Sequence, residues 1–196
     1  MKRPTTTLTV ALTRGRVGGA AILTLFGAAW SMIALLNWSA RPSWSVPAAS
    51  STAVALLMLC VIQLVGTRNS PRLGDPVAAA KGKRAGMLFG IIFGIEGGLI
   101  GLSSGLLASR GHSDWIPIAA GVIVGLHFLP LAHLFEVPLY YWTGALCVLG
   151  LVVCSFVPDT AARQLLAGLV MAAVLWTTVV VLLMQTRALQ PARASG

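Results

Sequence analysis

The chain has 196 residues, of which 57% are hydrophobic and only 10% charged, where soluble domains carry about 25% charged residues. With a mean hydropathy of +0.85, these values exclude an ordinary soluble domain and point to an integral membrane protein. The net charge of +9 comes with no aromatic-interleaved platform of the kind that binds single strands, so it reads as membrane topology and attraction to anionic headgroups, not as a nucleic-acid partner.

Six apolar stretches reach the roughly 20 residues that a helix needs to cross a hydrocarbon core: residues 18–38, 47–66, 86–108, 115–135, 138–157 and 161–186. The expected fold class is therefore all-α, a polytopic membrane protein with six transmembrane helices in one bundle. A basic tail, 1–17, precedes the domain 18–186, and a second tail, 187–196, follows it. Short loops leave no room for a soluble catalytic domain. Lys2, Arg3, Arg14, Arg16, Arg68, Arg72, Lys81, Lys83, Arg84, Arg187 and Arg193 would lie on one side, and only Arg41, Arg110 and Arg163 on the other. That asymmetry predicts both termini in the cytoplasm.

The first stretch is too long for the core of a signal peptide, and Trp38 occupies the small-residue place before a cut after Ala40, so it is expected to stay attached. Trp30, Trp38, Trp44 and Trp115 would anchor the outer interface and Tyr140, Tyr141 and Trp142 the inner one. Residues 67–85 hold Pro71, Gly74 and Pro76 and read as a flexible connector. Cys60, Cys147 and Cys154 show no CxxC spacing and read as small buried hydrophobes, neither disulfide nor metal site. Aligning 18–38 with 115–135 finds only shared small and apolar residues, which gives little support to an inverted repeat.

The third stretch carries a ridge of glycines, Gly86, Gly90, Gly94, Gly97, Gly98, Gly101 and Gly105, all within about 120° of helix circumference. Such ridges let another helix approach closely in lipid. Glu96, the only acid inside a stretch, lies about 140° from the centre of that ridge, with Ser103 on its own side. A charge at mid-membrane costs at least ~2.5 kcal/mol and normally finds a partner, water or a proton.

His127 is the expected partner. Counted from the cytoplasmic ends, Glu96 lies about 15 Å deep and His127 about 12 Å deep. Pro130 removes the donor for the Leu126 carbonyl and marks a hinge. The pair reads equally as a proton-exchanging site or as a lock between helices. His133 and Glu136, three residues apart, read as an interface pair on one helical face, and His112 and Asp114 as solvated loop residues. Gly101 to Gly105 matches G-x-S-x-G, but a lipase elbow needs a strand-to-helix turn, and Ser103 sits about 10 Å from the depth of His127. No catalytic residue, metal site or cofactor is expected.

The run GLHFLPLAHLFEVPLYYWTGAL, residues 125–146, resembles a signature of a family of small six-span bacterial membrane proteins of uncharacterised function. The resemblance implies helical architecture and a bacterial inner-membrane setting, and implies no activity. Ahead of an intramembrane enzyme acting on lipid or peptide through Ser103, which the depth mismatch with His127 disfavours, two functions lead on the residues. One is a small permease-like protein with a mid-membrane polar site at Glu96, His127 and Ser103. The other is a non-catalytic scaffold or accessory subunit whose glycine ridge binds a partner helix. The partners expected beside the lipid bilayer are a second copy of the chain or another membrane protein.

Overall fold

Apolar segments with no water to satisfy their backbone must bond every N–H and C=O internally, and this chain does so with helices. The computed structural model describes residues 5–66 and 76–188, with side chains for 15–66 and 82–187. Expectations for the side chains of Lys2, Arg3, Arg14, Arg68, Arg72, Lys81 and Arg193 lie outside these described residues. Six α-helices follow in order: α1 Thr5–Leu36, α2 Ser45–Gly66, α3 Pro76–Ser109, α4 Ile116–Phe135, α5 Leu139–Ser155 and α6 Thr160–Ala188. A 3-10 turn, Ser113–Trp115, leads into α4. No strand occurs among the described residues. Five of the helices are long and apolar enough to cross a membrane, while α5, with 17 residues, is shorter.

Two boundaries differ from the sequence reading. Helix α3 starts at Pro76, so the connector is shorter than 67–85 and Lys83 and Arg84 stand on helix. Proline is preorganised for a first turn, where its missing N–H costs nothing. Helix α1 begins at Thr5, inside the stretch expected to be a tail.

Helix α6 packs on α1, α5, α4 and α2, and the short connection Glu136, Val137 and Pro138 between α4 and α5 holds those helices side by side. The close approaches fall at glycines. A Cβ added to Gly168 on α6 would stand 2.6 Å from Ala34 N and 2.7 Å from Trp30 O on α1, and one added to Gly144 on α5 would stand 2.6 Å from Gly125 O on α4. Helix α3 is the least buried of the long helices. A Cβ added to any of Gly86, Gly90, Gly94, Gly97, Gly98, Gly101 or Gly105 would meet nothing within 4 Å. Within the chain, the ridge is therefore not where helices meet.

Polar side chains tie the bundle across helices. Thr143 and Thr178 share a hydrogen bond of 2.8 Å between α5 and α6, and the Trp176 Nε1–H donates to Thr24 O on α1 at 3.3 Å. Gln63 on α2 accepts from Thr186 at 2.5 Å and donates to Leu183 O at 3.2 Å. Such links in lipid are worth about 0.6 kcal/mol on average and up to about 1.7. A double-mutant cycle of Gln63→Leu and Thr186→Val, read by unfolding in mixed micelles, is expected to give a coupling in the upper half of that range, because both side chains are buried.

Three loop and interface readings are corrected. Asp114 is not merely solvated: it pairs with Arg163 at the start of α6, whose guanidinium also lies 4.4 Å above the Trp115 ring. Glu136 does not share a helical face with His133, since it caps α4 in the left-handed conformation at φ 53°. Trp30 and Tyr140 are buried against neighbouring helices, so neither side chain is turned outward as a headgroup anchor would be.

Candidate functional site

Helical spacing creates the site. On α3, Phe89, Phe93 and Glu96 recur at i, i+4 and i+7 and so share one face. On α4, Val124, His127, Phe128, Leu131 and Phe135 form a matching stripe, and Gly15, Gly19, Ile22 and Phe26 do so on α1. These faces surround a cavity of about 470 Å³, closed below by Tyr140 of α5 and Leu175 of α6. Its volume falls within the ~300–1,000 Å³ typical of small-molecule sites.

The cavity is long. One end is lined by Arg16, Gly82, Glu136 and Tyr140 and the other by Phe26, Phe93, Glu96 and His127. From Gly82 to Glu96 the axial rise is about 21 Å. Helices α1 and α3 form opposite walls without packing on each other as the other neighbours do. They approach at Phe26 and Phe93, whose rings meet edge to face with centroids 6.3 Å apart. Phe93 also stacks on Phe89 at 6.0 Å and meets the His127 ring edge to face at 6.5 Å. His127 continues through Phe128 to Tyr140 at 6.1 and 5.7 Å. The wall is thus a connected series of rings.

At the inner end, His127 Nδ1 lies 3.1 Å from Glu96 Oε2, with the two side chains 8% and 6% exposed. The distance is that of an ion pair, but the nitrogen makes no aligned hydrogen bond, so a small rotation of either side chain decides whether one forms. Isolating a carboxylate among rings costs far more than packing a neutral group there, and the imidazole is the group within reach that can share its proton. Among the described residues, no other charged side chain lines this end of the cavity. Arg16, Glu136 and Tyr140 lie at the opposite end.

Of the residues singled out from the sequence, Glu96 and His127 come together. Ser103 does not join them: its hydroxyl donates to Ile100 O on its own helix at 3.0 Å, and it does not line the cavity. Pro130 is exposed and α4 remains helical on both sides of it. Sequence reading missed Arg16 and the phenylalanine wall. The i, i+4, i+7 pattern ending in Glu96 was the available signal for the wall. Among the described residues, no three His, Cys, Asp or Glu side chains come together as a metal site would require.

Comparison with known proteins places the chain against a family model. The model of a family of unknown function, DUF7010, covers residues 81–185, which take in α3 from near its start through almost all of α6. No curated protein matches, and no solved structure does.

Proposed function

Because the chain belongs to DUF7010, a family of unknown function, its own cavity has to carry the functional reading, and we propose that it is a small permease-like protein of the bacterial inner membrane. In this reading all six helices cross the bilayer, α5 at the lower end of the spanning length of roughly 17–25 residues. Both termini face the cytoplasm, as the basic residues favour. The observation that carries the proposal is the Glu96–His127 pair, 3.1 Å apart at the inner end of an aromatic-lined cavity.

A carboxylate and an imidazole in contact can hold one proton between them and release it when the surroundings change. Pro130 leaves the Leu126 carbonyl without its usual donor one residue from His127, which makes that turn of α4 the natural place to bend. Bending there would move His127 relative to Glu96 and couple proton exchange to opening of the cavity.

An infrared pH titration of the empty protein in nanodiscs tests this, with Glu96→Gln identifying the carboxyl band. The expected result is a band that is absent in Glu96→Gln, changes with pH in the wild type, and shifts its midpoint in His127→Ala. A Glu96 that holds one state across the whole accessible range would overturn the proposal. The scaffold reading, in which the open glycine face of α3 takes a partner helix, would then stand in its place.

A further inference from the structure

The cavity wall is apolar along most of its length, yet a permanent cation is set into it. Arg16 lies at the end away from Glu96, on the helix that forms one side of the cleft, and its Nε is buried without a hydrogen-bond partner. Burying such a donor unpaired costs free energy that a ligand acceptor would recover. Tyr140 lines the same end, with its hydroxyl close enough to α1 that a Cβ on Gly19 would stand 2.9 Å away. It supplies a second donor beside the guanidinium. Glu136, at the same end, is itself engaged, and Glu96 at the other end faces His127. Among the described residues at this end, the buried polar atom left without a partner is therefore the Arg16 Nε, a cationic donor.

Beyond Arg16 the cavity offers only apolar and ring surface for most of the ~21 Å to Glu96. Gly15, Gly18 and Gly19 on one side and Gly82 and Ala85 on the other keep the cleft between α1 and α3 free of bulky side chains. Ile22, which lines the cavity, is 40% exposed at the outer surface of α1. The slot is thus reached sideways, between two helices, through a gap that closes only where Phe26 meets Phe93.

We propose that this cleft takes up a single-chain amphiphile with one acidic headgroup from the adjacent leaflet, Arg16 and Tyr140 receiving the headgroup and the phenylalanine wall the chain. This names the substrate class of the permease-like reading and rests on it. A guanidinium gives an acidic headgroup a charge-assisted bond in a place shielded from water. The chain exchanges lipid for ring surface at little cost, so the headgroup sets selectivity.

The test is equilibrium binding to the purified full chain in detergent at one fixed pH. The probes are spin-labelled stearic acid, its neutral methyl ester and the matching alkyl amine. The acid is expected to bind at least tenfold more tightly than the ester or the amine, and Arg16→Gln to remove that advantage while leaving the ester unaffected. Gly18 lines the slot and has nothing within 4 Å of an added Cβ, so the side chain of Gly18→Phe starts into open space and is expected to abolish saturable binding of all three. Equal affinity of wild type and Arg16→Gln for the acid, or tighter binding of the amine, would overturn the assignment. Since the infrared titration uses empty protein, a silent Glu96 would sink the permease-like site and a failed headgroup preference would sink only the substrate class.

Discussion

Replacing Gly168 by alanine is expected to lower the stability of the bundle by about 3 kcal/mol, the upper end of the range for overpacking a closed contact. The reason is that the new methyl group would meet backbone on α1, Ala34 N at 2.6 Å and Trp30 O at 2.7 Å, where no flexible side chain can swing aside. Relief requires α1 and α6 to separate, and that would undo the Thr24–Trp176 hydrogen bond and the burial of Met171 and Leu175 together. Unfolding in mixed micelles reads the loss directly. Gly98→Ala on α3 serves as the control and is expected to stay within about 0.5 kcal/mol of wild type, because its Cβ enters open space. Equal losses for the two variants would refute the α1–α6 crossing described above.

The second large effect is expected at Asp114. Its carboxylate is the acid paired with Arg163, whose side chain is 6% exposed. Removing one partner of a buried pair typically costs about 3–5 kcal/mol. Asp114 is itself 32% exposed, and Arg163 keeps its Val157 carbonyl and Trp115 ring, so Asp114→Ala should cost less, about 2 kcal/mol. The double variant Asp114→Leu with Arg163→Leu should recover most of that loss, since a buried pair and its apolar replacement are often close in energy. A double variant less stable than Asp114→Ala would mean that the guanidinium holds the start of α6 without its carboxylate.

The helices were legible because each is long, apolar and bounded by short polar turns, so their existence follows from the cost of unsatisfied backbone in lipid. The Glu96–His127 contact was legible because depth along a helix is fixed by rise per residue, and two polar groups at similar depth on neighbouring helices have few other partners. Arg16 was not legible as a cavity residue, because a basic residue near the start of a span looks the same in sequence whether it faces headgroups or a cleft. The role of Asp114 was hidden for a related reason. Its partner lies 49 positions away in the first turn of α6, and nothing local at either position marks the pairing.

By itself the sequence determined that α3 has two opposed faces, seven glycines on one and Glu96 on the other, since 100° per residue places Glu96 about 140° from the centre of the ridge. Only the tertiary structure decided which face turns inward. A single helix at the edge of a bundle cannot bury both, and an acid at mid-membrane loses far more by facing lipid than a row of glycines does. The glycines that do bring backbones together are Gly168, Gly144 and Gly125; of these Gly125 stands at four-residue spacing, with Gly121, and nothing in the sequence ranks that pair above the longer ridge of α3. Their importance comes from where α6 crosses α1 and where α4 meets α5, a matter of how whole helices fit against one another.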